Sequence, residues 1–175
     1  MKTRLFATVL FALYLPCASA SAGLHEPFVV TGSVIKNHDG DTLTLRTAER
    51  GIINVRLSGA DTPETGQTYW RVARDSLHRL VVNKPVTVKC YKQDWRKREV
   101  CHVSVQGSDP ALELVEQGLA WYALMFADEL TPAMQVAYEA AESQARQQRI
   151  GLWQQHEPMP PWECRKLRKA HQKCR

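Results

Sequence analysis

The stretch Val55 to Glu64, VRLSGADTPE, decides the fold. Apolar and polar residues alternate from Ile52 to Leu57, and this alternation predicts a β-strand. The strand contains Arg56, and Asp61 and Glu64 follow directly after its end. Metal-assisted attack on a phosphodiester needs such a set of groups: carboxylate oxygens for a hard cation, a cation for the phosphate, and a base for water.

A second acidic stretch, HDGDT at residues 38–42, lies upstream. Asp-Gly between two alternating segments is typical of a hairpin turn, and this turn can place Asp41 beside the strand end that carries Asp61. Two carboxylates plus a backbone carbonyl form an oxygen site that suits Ca²⁺ better than zinc. A structural alternative exists, because Thr62-Pro63-Glu64 is also a pattern with which helices begin.

Together these motifs resemble the staphylococcal nuclease (thermonuclease) family. The resemblance rests on Asp-Gly-Asp-Thr at 39–42, Arg-Leu-x-x-x-Asp-Thr-Pro-Glu at 56–64, and a basic cluster that includes Arg98. It runs from about Val29 to Trp153. The resemblance implies an exported, Ca²⁺-dependent endonuclease that cuts DNA and RNA with little sequence preference and leaves 3′-phosphate ends.

The resemblance also implies roles for the acidic residues. Asp41, Asp61 and the carbonyl of Thr62 match positions that bind Ca²⁺ in the family. Glu64 matches the glutamate that orients or deprotonates the attacking water, and which of the two it does stays open. Asp39 is interpreted as a turn residue that adds to the electrostatic field without binding the metal.

Two arginines, Arg56 and Arg98, match those that hold the phosphate in the family, and a guanidinium fork fits two phosphate oxygens. The family usually has Asp-Lys/Arg-Tyr-Gly-Arg at the second of these positions. Here residues 94–98 are DWRKR, so Arg96 and Lys97 replace the Tyr-Gly pair. Arg96 could therefore substitute for Arg98, and both Arg96 and Lys97 are candidate substrate-binding residues.

Aromatic faces on which bases could stack are available at Trp95, Trp121, Tyr122 and Phe126. The family often has tyrosines near positions 124 and 126. Leu124 departs from that pattern and Phe126 keeps only the ring, so base preference is expected to differ from that of relatives.

The hydrophobic pattern predicts an α+β, mainly β fold. Alternation predicts five strands, at Val29–Ile35, Leu43–Leu45, Ile53–Leu57, Val86–Cys90 and Val100–Val105. Helical spacing predicts about three helices, at Tyr69–Val82, Ala111–Glu116 and Pro132 to about Arg149, the last with a packing face of Ala133, Val136, Ala137, Ala140 and Ala141. This composition suits a five-stranded oligonucleotide-binding (OB) barrel.

Three segments are expected along the chain: a signal peptide at 1–22, a nuclease-like OB domain at 23–157 and a basic extension at 158–175. A charged start, an apolar run from Leu5 to Leu15 and small residues at 18–22 predict the signal peptide. Export follows, to the periplasm or the medium. After cleavage we expect a monomer without a membrane anchor.

The cysteine count supports export. Removal of Cys17 with the signal peptide leaves four of the five cysteines: Cys90, Cys101, Cys164 and Cys174. An even number in an exported chain predicts two disulfides, and three connectivities are open. The local one, Cys90 with Cys101 and Cys164 with Cys174, is the simplest.

The net charge is compatible with a nucleic-acid partner. The chain carries a formal charge of +5, of which Lys2 and Arg4 in the signal peptide supply two, so +3 remains. Basic residues are concentrated in the extension, where the tail either grips a nucleic-acid backbone or mainly keeps the chain soluble. The alternative to the enzyme is a non-catalytic OB module that binds DNA or RNA.

Overall fold

A computed structural model describes residues 25–174, and the predicted signal peptide and Arg175 lie outside them. The strands are β1 (Phe28–Asn37), β2 (Thr42–Thr47), β3 (Gly51–Leu57), β4 (Ala60–Asp61), β5 (Pro85–Gln93), β6 (Glu99–Ser104) and β7 (Trp121–Tyr122). The helices are α1 (Trp70–Val81), α2 (Pro110–Glu116), α3 (Pro132–Gln147) and α4 (Pro161–Lys169), with 3₁₀ turns at Leu124–Glu129 and Gly151–Gln154.

The predicted five-stranded barrel is confirmed. The strands close in the order β1-β2-β3-β6-β5, with β3 and β6 parallel and every other pair antiparallel. Two register shifts, between Val34 and Lys36 and between Cys90 and Lys92, lie on the antiparallel pairs. Such bulges bend strands and help a short sheet to close. The short strands β4 and β7 pair outside the barrel.

The barrel interior holds the main core. Alternate residues of β2, β3, β5 and β6 point inward and are buried: Leu43, Leu45, Val55, Leu57, Val86, Val88 and Val103. One side of α1 closes the barrel through Ala73, Leu77 and Val81. The first three strands therefore form a rigid platform at the end where β3 leaves the barrel.

The packing face predicted for α3 is mostly wrong: of its five residues, only Ala141 is buried. The buried residues of α3 are Tyr138, Ala141 and Ala145, whereas Val136 is 65% exposed. The cause is Tyr138, whose ring stacks on Tyr122 at 5.5 Å and whose hydroxyl donates to Asp109 Oδ2 at 2.7 Å. A large aromatic with a hydrogen-bond partner fixes the rotation of the helix, and a stripe of small residues does not.

The sequence pattern did not predict α4. Residues 158–175 were expected only as a basic extension, and Pro161 occupies the first turn of this helix, where its missing N–H costs nothing. Both disulfides follow the local pairing: Cys90 with Cys101 across β5 and β6, and Cys164 of α4 with Cys174. Within residues 25–174, none of the helices has the length and apolarity needed to cross a membrane.

Candidate active site

The register of β2 on β3 brings Asp41 to Arg56. Thr42 pairs with Arg56 in this ladder, and the N–H of Leu57 donates to the carbonyl of Asp41 at 3.0 Å. Asp61 arrives from the other direction, because β4 pairs antiparallel with β7 and places Asp61 opposite Trp121. The two aspartates, 20 positions apart in the chain, thus lie on either side of one arginine.

Gly40 makes this approach possible. A Cβ on Gly40 would lie 2.7 Å from Cγ2 and Oγ1 of Thr62, so the turn packs directly on the Thr62 side chain. The backbone N–H and the hydroxyl of Thr62 both donate to Asp41 Oδ2 at 3.0 Å. Residues 62–65 are not helical and α1 begins only at Trp70, so the interpretation of Thr62-Pro63-Glu64 as a helix start is wrong.

Arg56 is buried between the two carboxylates. Its Nε lies 3.3 Å from Asp41 Oδ1, and one terminal nitrogen lies 3.0 Å from Asp61 Oδ1. The other terminal nitrogen donates to the carbonyls of Leu57 and Ala60, both at 2.5 Å. A buried guanidinium held by four acceptors keeps a fixed orientation and compensates the charge of two buried acids.

The pKa values of Asp41 and Asp39, the two acids of the turn before β2, are shifted in opposite directions. Although burial opposes ionisation of Asp41, the charge of Arg56 and the hydrogen bonds from Thr62 hold the pKa of Asp41 below its ordinary value. Burial and the charge of Asp41 raise the pKa of Asp39 to about 7. Asp41 is therefore an anionic ligand candidate, and Asp39 is the more readily protonated of the two acids.

The turn between β5 and β6 contains Lys97 at the position where the family usually has glycine. Lys97 takes up a left-handed φ of 62°, which costs a non-glycine residue about 1–2 kcal/mol. The Asp94 carboxylate compensates: it accepts from the backbone N–H groups of Arg96 and Arg98, each at 2.9 Å. Lys97 itself does not line the site cavity.

Arg98 is the second arginine that points into the site. The Nε and one terminal nitrogen of Arg98 donate to the Asp94 carboxylate, at 2.8 and 2.7 Å. The other terminal nitrogen of Arg98 donates to Thr42 Oγ1 at 2.8 Å. The Thr42 hydroxyl in turn lies 3.1 Å from Asp41 Oδ1. Arg96 instead lies over the ring of Trp95, 4.5 Å from its centroid. The geometry thus favours Arg98 for the role that the sequence left open between them.

The four aromatic candidates separate by burial. Trp121 and Tyr122 are buried in the hydrophobic cores, so neither offers a face to a base. Phe126 covers Arg56, whose guanidinium carbon lies 5.3 Å from the ring centroid. Trp95 is 78% exposed at the rim of the site. Only Phe126 and Trp95 of the four can contact a substrate.

Arg165 of α4 also lies in the site, and the sequence analysis missed it. Its guanidinium donates to both oxygens of Asp61, at 3.1 and 2.8 Å, and to Glu64 Oε1 at 2.8 Å. Burial opposes its charge, but these carboxylates raise the pKa of Arg165 above its ordinary value. Arg168 lies 3.6 Å from Glu64 Oε2 and donates to the carbonyl of Thr65. The only sequence feature that pointed to Arg165 was the basic character of the tail, and this does not predict where the tail packs.

These residues line one cavity of about 330 Å³, at the barrel end where β2 begins and β3 ends. The wall holds the acidic side chains Asp39, Asp41, Glu64 and Asp94 and the arginines Arg56, Arg96, Arg98 and Arg165. Hydrogen bonds and ion pairs link Asp94, Arg98, Thr42, Asp41, Arg56, Asp61, Arg165 and Glu64 in that order. Carboxylates can hold a hard cation and guanidinium groups can hold a phosphate, so the cavity suits phosphodiester chemistry.

An OB barrel with these acids and arginines at one end fits an enzyme that hydrolyses phosphodiester bonds. Comparison with known proteins identifies the family. The family described as staphylococcal nuclease homologue matches residues 54–155. An uncharacterized endonuclease of Escherichia coli O157:H7 is 33% identical over 135 residues, covering 76% of this chain and 83% of that protein. A micrococcal nuclease of Shigella flexneri is 33% identical over 147 residues, covering 79% and 82%.

An uncharacterized endonuclease of Haemophilus influenzae is 32% identical over 141 residues, covering 81% of this chain and 76% of that protein. The chain belongs to the staphylococcal nuclease family. The family match ends at residue 155, so α4 and its arginines lie beyond it.

Proposed function

We propose that this nuclease is a Ca²⁺-dependent endonuclease that hydrolyses phosphodiester bonds of DNA and RNA with little sequence specificity and leaves 3′-phosphate ends. One observation carries the proposal: Asp41, Asp61 and Glu64 converge on Arg56 and Arg165 at one end of the barrel, where all of them except the fully buried Asp61 line the cavity. The arginines of this cavity suit phosphate, which carries no sequence information. The similarity to bacterial proteins named as nucleases supports the same reaction class.

The residues present fit a hard divalent cation. Asp41 and Asp61 supply anionic oxygens and the Thr62 carbonyl supplies a neutral one, the donor types that Ca²⁺ takes. The guanidinium of Arg165 already lies on Asp61 and Glu64, so the site accepts positive charge at this point. Within residues 25–174 no three His, Cys, Asp or Glu side chains converge on one metal position. Water and substrate would therefore complete the coordination.

Each side chain then has a distinct task. A bound cation would withdraw charge from the phosphate and help to orient water. Arg56 and Arg98 take up the charge that develops on the phosphate oxygens, and both are held by carboxylates before substrate arrives. Glu64 has Oε1 bonded to Arg165 at 2.8 Å, whereas Oε2 has the longer contact, 3.6 Å from Arg168, so Oε2 is the oxygen proposed to orient or deprotonate the attacking water. Arg96, Lys97 and Phe126 are proposed to contact the flanking nucleotides.

The proposed location is outside the cytoplasm, in the periplasm or the medium, with the mature chain acting as a monomer. The two disulfides support this location, because such bonds persist in oxidising compartments. The division into a signal peptide at 1–22, a domain at 23–157 and an extension at 158–175 stays a prediction. A non-catalytic binding module is disfavoured, because pure binding gives no use to Asp41, Asp61 and Glu64 together.

The test is digestion of denatured DNA, duplex DNA and RNA in Ca²⁺, in Mg²⁺ and in a chelator. Glu64→Gln is run beside the matched variant Glu116→Gln, which changes an exposed glutamate of α2. We expect cutting only in Ca²⁺, a loss of several orders of magnitude in Glu64→Gln with binding retained, and no loss in Glu116→Gln.

The product ends are checked separately. Cleavage that leaves 3′-phosphates also leaves 5′-hydroxyl groups, which a polynucleotide kinase labels without prior phosphatase treatment. Nucleic acid that stays intact in every lane but is retarded on a gel would support the binding module. Full activity of Glu64→Gln would exclude the role of Glu64 in activating water.

A further inference from the structure

A second cavity of about 580 Å³ opens from the active site along α4. Five residues line both cavities, so the two are continuous: Glu64, Trp95, Arg96, Met125 and Arg165. The remaining lining of the second cavity comes entirely from α4, through Trp162, Lys166, Arg168 and Lys169. We call this second cavity the α4 groove. It lies between α4 and the 94–98 turn.

The position of α4 is fixed by contacts on its inner side. Pro161 and Cys164 are buried, and the Cys164–Cys174 disulfide ties the helix to the end of the chain. Just before the helix, the carbonyl of Met159 accepts from Gln67 Nε2 at 2.9 Å. Together with the ion pairs of Arg165, these contacts make α4 a stable wall of the groove.

The groove is strongly basic. Its lining holds five cations and one carboxylate, Glu64, which is already paired with Arg165 and Arg168. Trp162, Arg165, Lys166 and Lys169 have the spacing of one helix face, so the three cations among them lie on the same side of α4. Lys166 is largely exposed and its nearest carboxylate, Glu163, lies 3.9 Å away. Such a surface attracts a polyanion.

Two tryptophans accompany these charges. Trp95 is 78% exposed and Trp162 is 39% exposed. The edge of Trp162 packs on Trp121, with centroids 6.2 Å apart, which anchors it at the groove wall. Exposed indole faces beside cations are what single-stranded nucleic acid needs, because unpaired bases stack on the rings while phosphates contact the cations. Bases paired in a duplex cannot stack in this way.

We propose that the α4 groove binds a single strand of nucleic acid next to the bond being cut, so that the C-terminal helix forms part of the substrate site. Bases of this strand stack on Trp95 and Trp162, and its phosphates contact Lys166 and Lys169. The inference rests on the proposed function, because it takes the adjoining cavity as the place of cleavage. It adds a preference for unpaired strands and a role for the basic tail.

The test measures binding without cutting. A fluorescein-labelled oligothymidylate of twelve nucleotides is titrated with the intact protein in chelator, and anisotropy gives the affinity at several salt concentrations. The groove variant is Lys166→Ala/Lys169→Ala. Its matched control, Arg71→Ala/Arg79→Ala, removes the same charge from exposed positions of α1 outside the groove.

We expect the groove variant to bind about tenfold more weakly at 0.1 M salt and the control to stay within about twofold. The plot of log affinity against log salt should become shallower by about 1.4 for the groove variant, since each lost phosphate contact on a single strand contributes about 0.7. Trp95→Ala should weaken binding about fivefold or more, and Trp95→Tyr should recover most of it.

Equal affinity and salt slope of the groove and control variants would overturn the proposal. So would an equal loss of affinity for a duplex hairpin of the same length, because the groove would then be a general phosphate surface. These results are independent of the digestion with Glu64→Gln. Failure of the groove therefore leaves the nuclease proposal intact, and failure of cleavage leaves the binding result interpretable.

Discussion

Arg165→Ala is the most informative single substitution, because Arg165 connects the C-terminal helix to two acids of the site. The change removes two hydrogen bonds to Asp61 and one to Glu64. Asp61 is completely buried and would keep only the contact with Arg56 at 3.0 Å. We therefore expect the metal-free protein to lose stability.

The magnitude follows from the contacts. A hydrogen bond between charged groups contributes about 1.5–3 kcal/mol, and breaking a buried ion pair costs about 3–5 kcal/mol. Asp61 retains one cation, and the Arg165 side chain is 28% exposed and partly solvated, so about 2–3 kcal/mol is expected. For a chain of this size, that lowers Tm by about 5–10 °C.

Calcium should reverse much of this loss. If Ca²⁺ displaces Arg165 from Asp61, the calcium-bound wild type lacks the same contacts between Arg165 and Asp61 that the variant lacks. The difference in Tm between the two proteins should therefore shrink at saturating Ca²⁺. Calorimetric titration should show tighter Ca²⁺ binding by Arg165→Ala, since no tethered cation competes for Asp61.

Differential scanning calorimetry in chelator and in Ca²⁺ checks both statements, with Arg71→Ala as a variant that loses the same charge from the surface of α1. Arg165→Lys keeps the charge but not the fork, so it should restore only part of the stability. An unchanged Tm in chelator would refute the ion pairs. An equal loss of Tm with and without Ca²⁺ would refute the competition between Ca²⁺ and Arg165, and would mean that both contact Asp61 at the same time.

Two further perturbations test the platform of the site. Replacing Cys90 and Cys101 by alanine should cost about 2–3 kcal/mol in thermal unfolding; free thiols counted in the unreduced wild type, or an unchanged Tm, would contradict the disulfide. For Asp94, burial is outweighed by hydrogen bonds from Arg98 and Arg96, which lower its pKa. The carboxylate therefore stabilises the fold above its unfolded pKa of about 4 and loses this effect as pH falls through its lower folded pKa. Asp94→Asn should be less stable at pH 7, and urea midpoints should converge towards pH 3; a gap that persists at pH 3 would contradict this.

The barrel could be predicted because each of its strands carries its own signal. Alternation in β1, β2, β3, β5 and β6 identifies the buried side of each strand, and turn residues separate them. The acidic pair could be found because Asp41 and Asp61 lie at strand ends within short, specific motifs. Local disulfide pairing was among the alternatives that spacing left open, and the register of β5 on β6 selected it.

The failures have a common cause. The face of α3 depends on Tyr138 meeting Tyr122 and Asp109, which lie 16 and 29 positions earlier in the chain. Each of these is an interaction between residues whose local pattern contains no record of the partner. Gly40 is a further example. Its close packing on Thr62 requires glycine, but the Asp-Gly turn pattern does not predict that contact.

The sequence by itself determined the barrel, the acidic motifs and the pairing of Arg56 on β3 with Asp41 just before β2, since these follow from periodicity and from short spacings along the chain. Only the tertiary structure decided that Arg165, 104 positions after Asp61, lies on both of its oxygens. The reason is that α4 is positioned by buried side chains, a disulfide and ion pairs with distant segments. Contacts of this kind depend on the folded surface that the helix meets and not on the pattern of the helix itself.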